Sequence, residues 1–222
     1  MPKIKFSLLS IIGGLTLLSS SAYAEVDAEV SYILNTLLFL IGGFLVMWMA
    51  AGFAMLESGL VTSKSVATIA AKNIGLYSIA GLMFWLVGYN LAYGIPEGGF
   101  IGSFLPWSDA SAVDTGYSDG SDWFFQMVFC ATTCSIVSGT LAERIKIWPF
   151  FLFCAILAGV IYPIEMGWQW GGGHLAAAGF SDFAGSTLVH SAGAAAALAG
   201  ALLLGPRLGR FTDSGEAAPM AP

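Results

Sequence analysis

Charge is the scarcest ingredient of this 222-residue chain. Only 10% of its residues are Asp, Glu, Lys or Arg, whereas 57% are hydrophobic, and the mean hydropathy is +0.79. A water-soluble domain carries about 25% charged residues, so a single water-bathed core is excluded. The composition is that of a polytopic membrane protein, with room for roughly five or six spans of about 20 residues. Cysteine is scarce as well. Cys130 and Cys134 lie one helical turn apart in an apolar run, and Cys154 stands alone. That spacing excludes a disulfide framework and a Cys/His metal site, so the cysteines read as small buried hydrophobes. No P-loop, HExxH, GxSxG or strand-borne GxGxxG occurs, and no nucleophile–base pair stands out. Neither an enzyme nor a cofactor is therefore expected. The net charge of −6 offers nothing to nucleic acid.

Five apolar runs are present, at about 32–56, 73–93, 122–141, 148–168 and 183–204. Each is long enough to cross about 30 Å of hydrocarbon as a helix, which predicts an all-α membrane fold of five transmembrane helices over residues 25–210. Residues 1–24 are set apart from it. Lys3 and Lys5, an apolar stretch from Phe6 to Leu18, and Ala22-Tyr23-Ala24 make a bacterial-style secretory signal peptide. Beyond it, basic residues are missing from every second loop. Lys64, Lys72, Arg144, Lys146, Arg207 and Arg210 follow odd-numbered spans, while Glu97, Asp109, Asp114, Asp119, Asp122 and Asp182 occupy the alternate connections. The positive-inside rule then puts the N-terminus outside, periplasmic after signal cleavage, in a multi-pass bacterial inner-membrane protein. Residues 211–222 read as a cytoplasmic loop or tail.

Few residues in the spans are polar enough to carry chemistry. His190 falls within the fifth run, about 12 Å along a helix begun near Asp182. An ionisable group at such depth either faces a cavity or is packed neutral against a backbone carbonyl; small neighbours from Ser191 to Ala197 favour close approach of other helices. Asp182 precedes this run, either as a cap for backbone N–H groups or as an attraction for a cation. Trp168 and Trp170 flank the outer face before Gly171-Gly172-Gly173. Either they belong to the interfacial aromatic belt, or the Trp170 indole offers a cation its π face. His174 reads as solvent-facing. Phe125 and Phe129 share a helix face at i, i+4, for packing or for a constriction. Glu57, Glu143 and Glu165 lie near span ends without an assigned role.

The stretches AGFAMLESGLVTSK, GTLAERIKIWPF, WGGG and DFAGSTLVHSAGAAAALAGALLLGPR resemble the ammonium transporter family (Amt/MEP/Rh), from about residue 30 to about residue 210. The resemblance implies an eleven-helix fold of two inverted five-helix repeats plus a final helix, assembled as a homotrimer with one pore per subunit. It implies that Trp170 and Phe125 recruit ammonium at the outer face, with Asp182 below them. Phe129 would be the upper gate ring and His190 the first of two pore histidines. Ammonium would lose its proton outside, and ammonia would pass, with or without a coupled proton. A PII-type protein at the cytoplasmic face is the implied regulator. The second repeat is absent from this sequence, so the chain is expected to be the N-terminal half of a longer one or else a half-protein that pairs with another chain. The competing readings are an ammonium sensor carrying a cytoplasmic signalling domain, an Rh-like conductor of ammonia or carbon dioxide, and a membrane-embedded enzyme. The last lacks a catalytic constellation.

Overall fold

The computed structural model describes residues 26–219; the expected signal peptide lies outside them. Among the described residues, four helices are long and apolar enough to cross a membrane: α1 (Ala28–Gly59), α2 (Ser63–Tyr93), α3 (Asp119–Leu141) and α4 (Ile147–Gly167). A fifth, α5 (Leu188–Leu204), is apolar but only 17 residues long. α3 is the central post and packs against α1, α2 and α5, while α2 packs on α4. Accordingly α3 is the most buried helix, whereas α1 buries only Gly43 and Glu57 and leaves Leu38, Trp48 and Met55 exposed. An apolar face of that kind suits lipid or further helices.

The termini follow from local chemistry. The Asp27 carboxylate accepts from the Glu29 N–H at 2.9 Å and caps α1. Asp119 and Asp122 fall in the first turn of α3, where carboxylates meet the positive end of the helix dipole. α2 and α4 each contain a π-helical turn, at Phe84–Gly88 and Leu157–Ile161, and the two turns pack together. In α4 the cause is Pro163, which has no N–H to donate back to Gly159. The wider turn absorbs that defect, and the Cys130 thiol approaches the Ala158 carbonyl at 3.3 Å. Cys130, Cys134 and Cys154 are free and buried, as their apolar setting suggests.

Three boundaries differ from the sequence expectation. α2 begins about ten residues early, so Lys72 is no loop charge. It lies inside the helix, buried, with its ammonium 3.5 Å from Glu57. A lysine is tolerated there because its charge is paired and hydrogen-bonded. α3 begins about three residues early, at Asp119, which therefore belongs to the helix and not to the preceding loop. α5 begins at Leu188 and not near 183, because the preceding residues wrap around a carboxylate described below. His190 is therefore in its first turn, and the rise from there to Leu204 is about 21 Å.

The remaining basic loop residues, Lys64, Arg144, Lys146, Arg207 and Arg210, gather at one end of the bundle. There Glu143, in the left-handed region at φ 62°, accepts from the Thr62 N–H at 3.0 Å and the Thr62 hydroxyl at 2.5 Å. It also pairs with Arg207 at 3.3 Å, and Arg207 donates to the Leu60 carbonyl at 2.7 Å. Burial pushes the Glu143 carboxyl up, but the Thr62 donors and Arg207 together hold it below the usual glutamate range. The loops after α1, α3 and α5 are thus tied together.

Close approach of α3 and α5 depends on Gly193. A Cβ there would stand 2.9 Å from Ile136 Cβ, whereas at Gly52 it would meet nothing within 4 Å. Gly193→Ala is expected to lose about 1–3 kcal/mol by overpacking. Gly52→Ala is expected to be neutral or to gain up to about 1 kcal/mol of helix propensity. Reversible unfolding in mixed micelles measures both.

Candidate functional site: an aromatic cavity beside the α4–α5 connection

The segment that joins α4 to α5 is organised by one side chain. Asp182 Oδ1 accepts from the N–H groups of Gly185 (2.9 Å) and Ser186 (3.2 Å), and Oδ2 from Thr187 (2.8 Å) and Leu188 (2.9 Å). Four donors at and just before the start of α5, which would otherwise be orphaned, are satisfied by one buried carboxylate. Burial pushes this carboxyl up, but the four backbone N–H groups outweigh it and hold it below the usual aspartate range. The Asp182 carbonyl in turn accepts from the Trp170 indole N–H at 2.6 Å. The indole lies on Gly185, where a Cβ would sit 2.7 Å from Trp170 Cη2, and where φ is +78°. Glycine is required there by both the backbone and the ring.

Trp170 ends a chain of rings. Its centroid is 5.6 Å from Phe129, Phe129 is 5.1 Å from Phe125, Phe125 is 5.3 Å from Phe39, and Phe39 is 4.8 Å from Tyr117. All five rings, with Asp182, line one cavity of about 600 Å³. Tyr89, Tyr93, Gln126, Gln169 and Asp122 complete much of its wall. Asp122 is 6% exposed, and its carboxylate accepts from the Tyr89 hydroxyl at 2.6 Å and the Gln126 amide at 3.2 Å. Both donors are neutral, and no salt bridge to Asp122 occurs among the described residues. The wall therefore carries a negative charge answered only by dipoles. A cavity of π faces with one unpaired carboxylate is chemically suited to a small cation.

Of the residues singled out in the sequence, Trp170, Phe125, Phe129 and Asp182 meet in this cavity. His190 does not line it. Its side chain is exposed on α5, with Nδ1 3.4 Å from the Gly185 carbonyl. Trp168 is fastened elsewhere, donating to the Phe100 carbonyl at 2.9 Å. His174 is half-buried and stacks on Phe100 with centroids 4.2 Å apart. Sequence reading missed Asp122, Phe39, Tyr89 and Tyr117. For Asp122 a signal existed, because residues 122, 125, 126 and 129 follow the i, i+3, i+4, i+7 spacing of a single helix face. For Phe39, Tyr89 and Tyr117 it did not, since they reach the cavity from other segments.

Because the Asp182 carboxyl lies below its ordinary value, its contribution is fully present above about pH 4 and is lost as pH falls through the lowered value. The hydrogen-bonded Trp170 indole N–H resonance is expected to persist from neutral pH to about pH 4 and to disappear only below it. Asp182→Ala, which orphans four donors, is expected to abolish that resonance at neutral pH, and Gly185→Ala to displace it.

A profile of the Ammonium Transporter Family matches residues 37–221. Ammonium transporter Amt2 of Archaeoglobus fulgidus is 42% identical over 192 residues, which are 80% of this chain and 40% of that protein. A solved structure described as Sensor Amt Protein superposes with a TM-score of 0.76 at 33% identity, covering 83% of this chain and 47% of the other. The crystal structure of Candida albicans Mep2 gives 0.70 at 26% identity, covering 82% and 42%. The chain thus spans less than half the length of these proteins, and its helices correspond to roughly the N-terminal half of their fold. With four membrane-length helices, a fifth shorter one and a family match over most of its length, the chain belongs to the ammonium transporter family, a family of membrane transporters and not of enzymes.

Proposed function

We propose that this chain is the first five-helix repeat of an ammonium transporter and that the aromatic cavity recruits ammonium from outside the cell. What supports the reading is the gathering of Trp170, Phe125, Phe129 and Asp182 around one cavity whose wall also holds the Asp122 carboxylate without a cationic partner. The π faces of Trp170 and Phe125 attract a cation at contact. Asp122 adds a charge worth about 2 kcal/mol at a separation of about 8 Å and an effective dielectric near 20. Asp182 acts through the loop it holds, because both of its oxygens are committed to backbone N–H groups.

Phe129, between Phe125 and Trp170, closes the cavity on its inner side. Carrying an ion past that ring into a dry passage costs far more than carrying a neutral molecule, since the hydration of the charge is lost. Ammonium therefore gives its proton to water in the cavity, and ammonia moves on. His190 supplies the next polar partner, one that both donates and accepts. In this reading its exposed side is covered by a second, inverted repeat, which completes the pore between the two halves. The N-terminus is outside, set by the basic end formed by Lys64, Arg144, Lys146, Arg207 and Arg210. The complete protein is a bacterial inner-membrane homotrimer, and the same basic end is where a PII-type regulator would dock.

Likeness to the Sensor Amt Protein favours a second reading, in which the same cavity reports ammonium to a signalling domain on the cytoplasmic side. A kinase or cyclase module following this fold on the same chain would decide for it.

The transport reading is tested by methylammonium uptake in cells lacking their own transporters, with the second half of the fold on the same chain. Trp170→Leu and Asp122→Asn are expected to weaken apparent affinity, the latter on the order of thirtyfold. His190→Ala is expected to lower the maximal rate by about tenfold or more, as when one buried hydrogen-bond partner is withdrawn. Unchanged uptake and unchanged exclusion of potassium in His190→Ala would remove His190 from the mechanism.

A further inference from the structure

The opposite end of α3 raises a question of its own. The last four carbonyls of a helix have no intrahelical donor, and in α3 these belong to Ser138, Gly139, Thr140 and Leu141. Three are served locally. Gly139 accepts from the Ala142 N–H, Leu141 from those of Arg144 and Ile145, and Thr140 from the Arg144 guanidinium. The fourth, Ser138, is wholly buried and receives its donor from another helix: Lys72 Nζ reaches its carbonyl oxygen at 2.8 Å. The Ser138 hydroxyl donates to Glu57 Oε2 at 2.7 Å, and Lys72 stands 3.5 Å from that same oxygen. Asn73 adds a donor to it at 3.2 Å, and the Phe150 ring lies 5.0 Å beneath the ammonium. Lys72 and Glu57 are 4% and 2% exposed. One residue of α3 is thus gripped at its hydroxyl by α1 and at its carbonyl by α2.

We propose that Lys72, held in place by Glu57, caps α3 from the neighbouring helix and fixes its axial position, and that it is thereby a positioning residue for the Phe125 and Phe129 rings on the same helix. A cation at this end also complements the negative pole of the α3 dipole. Ser138 lies nine residues, about 13 Å, below Phe129 on a continuous helix. A slip or rotation of α3 at Ser138 is therefore carried to the ring that meets Trp170. The Ser135 hydroxyl, 3.3 Å from Asn73 Oδ1, ties the next turn of α3 to α2 in the same sense.

The test places 4-fluorophenylalanine at position 129 of the full chain in lipid nanodiscs and reads its 19F resonance, which reports the contact with Trp170. Lys72→Arg keeps a donor and is expected to leave the resonance at the wild-type position. Glu57→Gln/Lys72→Met removes both charges together, so no unpaired ion is buried, and is expected to fold with a displaced or split resonance. Glu57→Gln/Lys72→Gln is a milder second variant, with a donor too short to reach Ser138, and the same displacement is expected. Ile69→Ala, a buried cavity on α2 outside the clamp, is expected to lower the melting temperature without moving the resonance. A wild-type resonance in both folded double variants overturns the proposal, as does an equal displacement in Ile69→Ala. Relevance to substrate rests on the cavity being the ammonium site, and titrating ammonium into the same samples reads that separately. A wild-type resonance indifferent to ammonium contradicts the cavity reading, while displacement in the double variants still supports the clamp.

Discussion

The half of this structure that holds the aromatic cavity depends on the Asp182 carboxylate. Four backbone N–H groups converge on it, and the Trp170 indole bonds to the carbonyl of the same residue. In water such donors find partners anywhere; in a membrane protein they must find them within the chain. By collecting them, Asp182 lets α5 start below the surface without orphaned groups. It also seats Trp170 against Gly185 and thereby sets one wall of the aromatic cavity. An acidic side chain that attracts attention as a possible cation ligand is thus spent on architecture, and Asp122 is the carboxylate left without a strong partner.

The same rule orders the opposite end with different chemistry. There the polar groups in need are carbonyls, and the donors are Lys72, Arg144 and Arg207. Asp27 and Asp182 serve the starts of α1 and α5 on one side, and Lys72, Arg144 and Arg207 serve helix ends on the other, where Glu143 also takes the Thr62 N–H that precedes α2. This asymmetry follows from the helix dipole, and it coincides with the charge asymmetry that orients membrane proteins. Between the two ends the chain is almost purely apolar, so the few exceptions on α3, from Ser121 to Ser138, report where it meets other helices.

Much of this was legible in the sequence. Five apolar runs and the alternation of basic and acidic connections could be read directly, whereas the grouping of Trp170, Phe125, Phe129 and Asp182 came only through family resemblance. What escaped has specific causes. Lys72 reads as a loop residue because hydropathy counts its charge and not its partner Glu57, which sits on another helix. α5 reads as starting near 183 because apolar periodicity continues through residues whose N–H groups are captured by Asp182. Phe39 and Tyr117 lie outside α3, so nothing local marks them as neighbours of Phe125. His190 stands open on α5 because the five helices described here cover only one side of it.

The claim on which the functional account turns is that a small cation rests against these rings. It is tested most directly by magnetisation transfer from the protons of 15N-ammonium to the protein at acidic pH, where those protons exchange slowly. The account expects transfer to the Trp170 indole and the Phe125 ring, lost when Trp170 is replaced by leucine. Transfer that bypasses both rings, or that survives unchanged without the indole, would contradict it.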